Sequence, residues 1–340
     1  MDCAEAVTFT TVADYSYLGH LELIVERWMG PISLALFAPG HDFNATLNAI
    51  QYARHCLPIS QLIRDYVSFH IYFPSGHMPD EPIPRSEVEA LNWPFNCSDV
   101  YAPYENISPS AIYWKQFSVD FPINVGRNVA RRSANTHFTM AADIELYPSK
   151  DFIRNFLEML SGNKSLLAEG QPHVFAVPAF DLDSHAIIPD NKAELMTLFR
   201  MQMAMAMHQK SCKYCRLIGQ EKKWLERGVI PDGKFEVVAV VKRFSSIPGF
   251  WEPFFVSDNR IPDFDERLMW QGQYDKRMHN YAMCLLGYKY YVLHPAYLTH
   301  APGPKPFDED NTRMFEADEE ILDMVAEYAV IYGINEDCEV

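Results

Sequence analysis

Alternation between apolar runs and amphipathic segments over the first 75 residues is the feature that most constrains the fold. The runs "VTFTTVA", "PISLALFAP" and "VSFHIYF" have the near-continuous apolar character of strands buried on both faces. Between them, "YLGHLELIVERW" and "DFNATLNAIQYARHC" have the spacing of amphipathic helices. Strand–helix–strand alternation of this kind is typical of a parallel sheet covered by helices. The sequence therefore predicts an α/β fold with a mostly parallel central sheet.

The rest of the chain continues this pattern with longer loops. Residues 74–122 are rich in Pro, Asn and Ser and are predicted to be mostly loop. We then expect a helix in "FPINVGRNVARRSA", a strand in "HFTMAA", and a helix in "SKDFIRNFLEML" that Ser149 caps. Further on, "HVFAVPAF" reads as a strand and "KAELMTLFRMQMAMAMHQK" as one helix with a buried methionine face, while residues 316–332 read as a surface helix. No linker divides the chain, so a single domain over residues 1–340 is expected.

Charge and hydrophobicity exclude several classes of function. The formal net charge is -16, from 45 acidic residues against 29 Lys and Arg, which argues against broad binding to nucleic acid or anionic membranes. No apolar run approaches the roughly 18 to 20 residues that a membrane helix needs, so we expect no transmembrane segment in this chain. The segment "MDCAEAVTFTTVADY" has the pattern of neither a signal peptide nor an anchor.

The seven cysteines are too few for a disulfide-dense scaffold. Cys212 and Cys215 form a C-x₂-C pair with His208 four residues earlier, which is compatible with a zinc site or with a local disulfide. Four N-x-Ser/Thr sequons would allow glycosylation in a secretory compartment, at Asn44, Asn96, Asn106 and Asn163.

An acidic pair marks the end of a predicted strand. Asp143 and Glu145 follow "HFTMAA" directly, and ligands of open α/β sheets bind beyond the carboxyl ends of the strands. Two carboxylates separated by one residue offer hard oxygen ligands to Mg²⁺ or Mn²⁺, which can bridge a diphosphate. A second pair, Asp181 and Asp183, follows another apolar strand, and spacing alone does not choose between the two pairs.

Several ordered motifs resemble a known family over some 290 residues. They are "RWMGPISLALFAP", "FPINVGRNVARRSANTHFTMAADIELYPS", "HVFAVPAFDL" and the segment from "GKFEVVAVVKR" to "LTHAPGP". Together they resemble glycosyltransferase family 49, whose members include β-1,4-glucuronyltransferases and the glucuronyltransferase domain of LARGE-type enzymes. The resemblance implies a GT-A fold with a Rossmann-like sheet. It also implies a nucleotide-sugar half at residues 1–150, an acceptor and catalytic half at 151–310, and a helical tail at 311–340.

The resemblance also assigns a metal site and a donor site. It places the metal motif on Asp143 and Glu145, rather than on the second acidic pair, and suggests His300 as a third ligand. Mn²⁺, with Mg²⁺ as an alternative, suits two carboxylates beside a neutral imidazole. For the donor, the resemblance points to Arg127, Asn128 and Lys305. A salt bridge that tethers the helix is the alternative role for Arg127.

On the acceptor side, the resemblance implies inversion, which needs a carboxylate as general base. The candidates are Asp265, Glu266 and Asp275 in "PDFDERLMWQGQYDK". Trp251 and Glu252 in "WEPFF" suit an acceptor sugar, through ring stacking and hydroxyl hydrogen bonds. Core packing is the alternative for Trp251.

The expected function is metal-dependent, inverting transfer of a sugar, foremost glucuronic acid, from a UDP-sugar to a glycan or glycoprotein in the Golgi lumen. The alternatives are an N-acetylglucosaminyltransferase of the same family and a catalytically inactive glycan-binding homologue. Three departures from the family pattern motivate the inactive alternative. Asp-x-Glu replaces Asp-x-Asp, Gly126 replaces a leucine, and "MWQGQY" replaces a glycine-rich loop.

Overall fold

The computed structural model forms two compact units. Residues Met1–Glu145 and Glu266–Gly272 make the first unit, and Leu146–Asp265 and Gln273–Val340 make the second. The structure describes residues 6–80, 82–98, 101–167, 172–207, 221–228, 233–242, 251–269, 274–303 and 319–339. The sequence places the division between its two halves near residue 150, and the first long segment of the first unit ends at Glu145. That the chain acts as a single domain stays a prediction.

The first unit alternates strands and helices in the order that the sequence predicts. Its elements are β1 Val7–Ala13, α1 Leu21–Trp28, β2 Ile32–Phe37, α2 Asp42–His55, α3 Ser60–Tyr66, β3 Val67–Tyr72, α4 Glu87–Leu91, α5 Tyr113–Gln116, α6 Ile123–Arg132 and β4 Phe138–Ala141. The strands lie in the order β3-β2-β1-β4, and each neighbouring pair is parallel.

Helices on both faces explain why the central strands of this unit are buried throughout. Every residue of β1 and β2 is buried. Phe37 and Phe121 pack with α6 in one cluster, and Phe43 of α2 packs with Phe73 and Trp93 in another. Two covered faces leave no position for a solvated side chain, so the polar alternation of a half-exposed strand is missing. The predicted α/β class, with a mostly parallel sheet flanked by helices, is confirmed.

Close packing of α6 on the sheet accounts for the glycine that departs from the family pattern. The Ser33 hydroxyl donates to the Ala130 carbonyl at 2.7 Å, which ties α6 to β2. A Cβ at Gly126 would lie 2.5 Å from both the Tyr72 hydroxyl and Val12 Cγ1. The volume of a leucine side chain is therefore filled from the opposite side, by the tyrosine of β3 and the valine of β1.

The strands of the second unit form two groups of four. Its elements are β5 Leu146–Pro148, α7 Phe152–Gly162, β6 His173–Val177, β7 Ala179–Leu182, α8 Lys192–Arg200, β8 Ala204–Ala206, α9 Glu221–Glu226, β9 Glu236–Lys242, β10 Phe254–Asp258, α10 Arg277–Leu285, β11 Lys289–His294, β12 Leu298–His300 and α11 Glu319–Tyr332. Four strands lie in the order β10-β6-β11-β9 and four in the order β5-β12-β7-β8. The β6–β11 pair is parallel, whereas β10–β6 and β11–β9 are antiparallel.

A buried ammonium organises the core of the second unit. Lys192 is 3% exposed, and its Nζ donates to the carbonyls of Trp224 and Arg227 and to His294 Nε2. The Trp224 ring lies 4.3 Å from the same nitrogen. Burial raises the free-energy cost of a charge unless its donors are satisfied, and three acceptors and one aromatic face satisfy them here.

Two disulfides lie within the described residues. Cys56 is bonded to Cys97 in the first unit, and Cys284 is bonded to Cys338 in the second. Cys212, Cys215 and His208 lie outside the described residues, so the zinc and local-disulfide alternatives for them stay predictions.

The structure corrects two local predictions. Asp151, with a φ of 57°, is the N-cap of α7, and the Ser149 hydroxyl is buried with no hydrogen-bond partner among the described residues. The single helix expected through the methionine-rich segment ends at Arg200, because Gln202 adopts a φ of 59° and Ala204–Ala206 pairs with β7 as a strand. Met201 is 61% exposed rather than buried.

Several helices were not predicted, whereas the helix expected near the end of the chain is present. The sequence patterns did not predict α3, which directly precedes β3, or the short helices α4 and α5 inside the predicted loop. The predicted helix near the end of the chain is present as α11, which buries Ile321, Met324 and Tyr328. Within the described part of the chain, no helix has the length and apolarity required to cross a membrane.

Gly126→Ala is expected to lower the stability of the first unit. The added Cβ contacts Tyr72 and Val12 at 2.5 Å, and overpacking of this kind costs about 1–3 kcal/mol, more than the roughly 1 kcal/mol that alanine gains in a helix. Gly162→Ala is the matched control, because Gly162 is also helical and a Cβ added there would meet no atom within 4 Å. Thermal unfolding should show a lower midpoint for Gly126→Ala and an unchanged or higher one for Gly162→Ala. Equal midpoints would contradict the packing account.

Candidate functional site

A pocket opens at the carboxyl ends of β1 and β4. These strands are parallel neighbours, paired from Val7 with Phe138 to Thr10 with Ala141, so the residues that follow them meet at one edge of the sheet. The pocket holds about 460 Å³ of empty space, counted with its open mouth. It is lined by Val12, Ala13, Asp14, Tyr17, Trp114, Phe121, Ile123, Asp143, Ile144 and Glu145. The acidic pair predicted from the sequence is therefore part of a pocket wall.

Arg127 holds the first of these acids. Its guanidinium is 7% exposed, and Nη2 lies 3.5 Å from Asp143 Oδ1. Nη1 donates to Asn124 Oδ1 at 2.8 Å, one helical turn earlier in α6. The planar fork thus contacts an amide and a carboxylate through two different nitrogens held in one plane. The salt-bridge alternative for Arg127 describes this contact, and the contact also places a cation beside the pocket.

Glu145 lies beside an aromatic pair. Its side chain is one-third exposed, and its Oε1 lies 4.0 Å from His20 Nε2. The His20 ring stacks on Tyr17, with 6.2 Å between centroids. Burial raises the pKa of Tyr17, and the nearby Glu145 and Asp14 carboxylates raise it further. Tyr17 is therefore a neutral hydroxyl at physiological pH, available as a hydrogen-bond donor at the pocket wall.

Asp14 was not foreseen as a site residue, although it follows β1 as Asp143 follows β4. It is 1% exposed and accepts hydrogen bonds from the Ser16 amide and hydroxyl. It also accepts from Trp114 Nε1 at 2.8 Å. An acid directly after an apolar strand was the signal that could have identified Asp14. Trp114 gave no such signal, because it lies in the short helix α5, 100 residues away in the sequence.

A second buried acid anchors the start of α5. Both carboxylate oxygens of Asp42 accept the Tyr113 amide at 3.0 Å, which fixes the start of α5 and with it the neighbouring Trp114. Gly40 has a φ of 51°, and a Cβ there would lie 2.2 Å from the Tyr113 ring. Burial raises the pKa of Asp42 to about 6, although the Tyr113 amide and His41 act in the opposite direction.

Asn128 is buried, and its side-chain amide contacts an acidic residue. Its Nδ2 donates to Glu266 Oε1 at 2.8 Å, and Arg132 Nη1 lies 3.6 Å from the same oxygen. Glu266 belongs to the short second segment of the first unit. These contacts therefore attach one candidate base to α6, the helix that also carries Arg127.

The carboxylate oxygens of the acidic pair are suitable ligands for a divalent metal ion. Asp143 and Glu145 both present carboxylate oxygens to one pocket, and such oxygens are the preferred ligands of Mg²⁺ and Mn²⁺. His300 ends β12 in the second unit, where its Nδ1 lies 3.3 Å from the Ala301 carbonyl oxygen. No group of three or more His, Cys, Asp or Glu side chains that could hold a metal was found among the described residues. The three-ligand site stays a prediction.

The remaining candidate residues lie in the second unit. Trp251 is 2% exposed and packs edge-on against Tyr290, with 5.0 Å between ring centroids, a geometry that favours the core-packing alternative over sugar stacking. Glu252 Oε1 lies 3.6 Å from Arg277 Nε. Asp265 accepts from the Tyr328 hydroxyl at 3.0 Å.

Three further acids complete the set. Asp275 is partly buried, just before α10. Asp181 sits on β7 opposite Met205, and Asp183 accepts the His185 amide in a local turn. Lys305 lies outside the described residues. The donor, acceptor and catalytic roles predicted for these side chains are left as predictions.

Comparison with known proteins defines the class. A family model described as glycosyl-transferase for dystroglycan matches residues 6–333. The chain therefore belongs to this glycosyltransferase family, and the resemblance to family 49 is confirmed. Beta-1,4-glucuronyltransferase 1 from Bos taurus is 27% identical over 299 residues, which are 86% of this chain and 67% of that protein.

More distant relatives extend the comparison. Xylosyl- and glucuronyltransferase LARGE2s from Gallus gallus is 25% identical over 91% of this chain and 33% of that protein. The zebrafish (Danio rerio) beta-1,4-glucuronyltransferase 1 matches over 65% of its length. This chain therefore spans about two thirds of the two beta-1,4-glucuronyltransferase 1 proteins. Among solved structures, S. aureus TarS 1-349 has a TM-score of 0.42 and 10% identity, over 97% of this chain and 67% of that one.

Stability is expected to depend on the protonation of Asp42. A folded-state pKa of about 6 exceeds the unfolded value, so the folded chain binds this proton more tightly. The resulting stabilisation is fully present below pH ~4 and is lost as the pH rises through about 6, a change of about 3 kcal/mol. Between pH 4 and pH 7, the unfolding free energy of the wild type should fall by that much more than that of Asp42→Asn. Parallel pH profiles for the two proteins would contradict the raised pKa.

Proposed function

We propose that this protein is a metal-dependent, inverting glycosyltransferase that moves a sugar from a UDP-sugar to a glycan, with glucuronic acid as the first candidate sugar. The observation that carries the proposal is the pocket at the ends of β1 and β4, with Asp143 and Glu145 in its wall. Family membership and glucuronyltransferase relatives support the reaction class.

The pocket chemistry suits the nucleotide end of a donor. Tyr17 and Trp114 offer aromatic surface in the pocket wall, on which a planar base can stack. Asp14 is an acceptor already engaged by Trp114, so it positions the indole rather than binding the donor directly. Arg127 and Asn128 are proposed to secure the diphosphate or the sugar carboxylate, with Lys305 as a further cation.

Asp143, Glu145 and His300 are proposed to hold Mn²⁺ or Mg²⁺. When bound, the ion would neutralise the charge that develops on the leaving diphosphate. Arg127 neutralises part of the Asp143 charge in the present structure, which lowers the repulsion between the two acids. Glutamate is one methylene longer than the usual aspartate, so the carboxylate of Glu145 can lie further from its backbone than that of the family residue.

Inversion requires a carboxylate that accepts the proton of the attacking hydroxyl. Asp265, Glu266 and Asp275 are the proposed candidates. Glu266 is contacted by Asn128 and Arg132 through Oε1, and Asp265 accepts from Tyr328 through Oδ2, so each candidate is held in place through one of its two oxygens. Glu252 is proposed to bind acceptor hydroxyl groups.

A luminal compartment and a glycoprotein acceptor complete the proposal. The two disulfides are compatible with an oxidising environment such as the Golgi lumen. Neither nucleic acid nor a lipid bilayer is a proposed partner, in view of the net charge of -16.

A donor screen tests the proposal directly. Purified protein is incubated with Mn²⁺ and UDP-glucuronic acid, UDP-N-acetylglucosamine or UDP-xylose, and released UDP is measured. We expect Mn²⁺-dependent release with UDP-glucuronic acid, reduced at least about 100-fold in Asp143→Asn, because electrostatic stabilisation of a leaving group contributes on that scale. Asp181→Asn is the matched control and should retain full activity. The opposite ranking of the two variants would transfer the site to the second acidic pair.

A non-catalytic glycan-binding homologue is the second candidate function. The Asp-x-Glu motif and the engagement of Asp143 by Arg127 both favour it, because the longer acid displaces its two oxygens and the guanidinium engages an oxygen of the other acid. The absence of UDP release with all three donors, together with retained binding of a glycan array, would establish this candidate instead.

Arg127→Lys is expected to raise the donor KM by about tenfold, with a smaller change in kcat. Lysine keeps the charge but carries all its donors on one nitrogen, so it loses the planar two-nitrogen fork of Arg127. Arg154→Lys is the control, because Arg154 forms an exposed pair with Asp151 at 3.5 Å. Steady-state kinetics against UDP-glucuronic acid would separate the effects, and an unchanged KM would exclude Arg127 from donor binding.

A further inference from the structure

A second cavity lies on the first unit, on residues that the candidate active site does not use. We call it the aromatic–amide groove. Its lining consists of three aromatic residues, Tyr52, Phe95 and Tyr101, and two amides, Asn48 and Asn96, between two prolines. Phe95 is 51% exposed and Tyr101 is 62% exposed. Large ring surfaces are thus open to solvent beside amide groups.

The groove is held in shape by contacts behind its surface. The Cys56–Cys97 disulfide joins the end of α2 to the segment that carries Phe95 and Asn96. Trp93 Nε1 donates to Asn48 Oδ1 at 2.9 Å, which orients that amide. The His55 ring stacks on Phe95 with 4.2 Å between centroids and an interplanar angle of 5°. Because one face of Phe95 is covered by His55, its exposed surface is presented in a fixed direction.

The lining is neutral and matches one class of ligand. It contains no acidic or basic side chain among the described residues. The pKa of His55, behind the groove, is lowered by its burial and by Arg64 and Arg54, so this imidazole is neutral at pH 7. Aromatic faces pack against the C–H groups of sugar rings, and amides both donate to and accept from hydroxyl groups.

We propose that the aromatic–amide groove is a binding site for neutral carbohydrate, separate from the pocket that contains Asp143. The proposal goes beyond the proposed transferase activity and does not rest on it. Phe95 and Tyr101 supply the stacking surfaces, and Asn48 and Asn96 supply the hydrogen bonds. The groove would hold a glycan whether or not the chain transfers a sugar.

Two sources can supply such a glycan. Asn96 begins the sequon Asn96-Cys97-Ser98, is exposed, and accepts the Ser98 amide on its Oδ1 at 3.0 Å. An N-linked glycan on Asn96 would therefore start within the groove itself. A glycan of another molecule is the other source. N,N′-diacetylchitobiose, the disaccharide that begins every N-linked glycan, contains the shared chemistry and is the probe.

Binding is measured on the secreted full chain by saturation-transfer NMR with N,N′-diacetylchitobiose. Ser98→Ala removes the sequon but keeps Asn96 and its acceptor oxygen, so this variant has an open groove. We expect Ser98→Ala to bind the disaccharide, and the added changes Phe95→Ala or Tyr101→Ala to weaken binding by roughly tenfold through loss of stacking. Phe117→Ala, which removes an exposed ring outside the groove, should leave binding unchanged. Circular dichroism verifies that each variant is folded.

The wild-type protein distinguishes the two sources. If the occupant is the glycan of Asn96, peptide mass spectrometry finds that residue modified, and the wild type fails to bind the disaccharide that Ser98→Ala binds. If the glycan comes from another molecule, both proteins bind it. The proposal is overturned if Ser98→Ala shows no saturation transfer, or if Phe95→Ala and Tyr101→Ala bind as well as Phe117→Ala does.

Discussion

The parallel pairing of β1 with β4 is the constraint on which the candidate site depends. Because the two strands run in the same direction and in register from Val7 with Phe138, the acids that follow them reach the same edge. An antiparallel arrangement would place Asp14 and Asp143 at opposite ends of the sheet. Helices cover both faces of this pairing, since every residue of β1 is buried. Packing of the core and placement of the acids are thus consequences of one topology.

Arg127 connects this topology to the electrostatics of the pocket. It lies on α6, which packs on the sheet through Ser33 and Ala130, and its buried guanidinium faces Asp143. The same helix carries Asn128, which binds Glu266. A displacement of α6 would therefore move a cation and a candidate base together. The small Gly126 matters for this reason, because it allows α6 to approach Tyr72 and Val12 closely.

The sequence predicted most of the first unit because its signals are local. Near-continuous apolar runs identified β1, β2 and β3, and an acidic pair after an apolar strand identified one wall of the pocket. Trp114 was missed because its role is set by Asp14 and by the Asp42–Tyr113 contact, neither of which leaves a pattern in the sequence. In the second unit, the methionine-rich segment has helical periodicity up to Arg200, but a positive φ at Gln202 and pairing with β7 override it. Ser149 had the composition of a helix cap, yet the chain turns at Asp151 instead.

The departures from the family pattern have different physical weights. Gly126 is compensated within the unit, since Tyr72 and Val12 fill the volume of the missing side chain, so this change preserves the packing of α6. Glu145 has no such compensation among its described contacts with His20 and Tyr17, because lengthening an acid by one methylene moves its oxygens relative to those of Asp143. In the proposed metal site, a shift of that size would change how two carboxylates contact one ion, and Mg²⁺ is more sensitive to such a change than larger cations. The packing of α6 thus tolerates its substitution, whereas the proposed metal preference would depend on the other one.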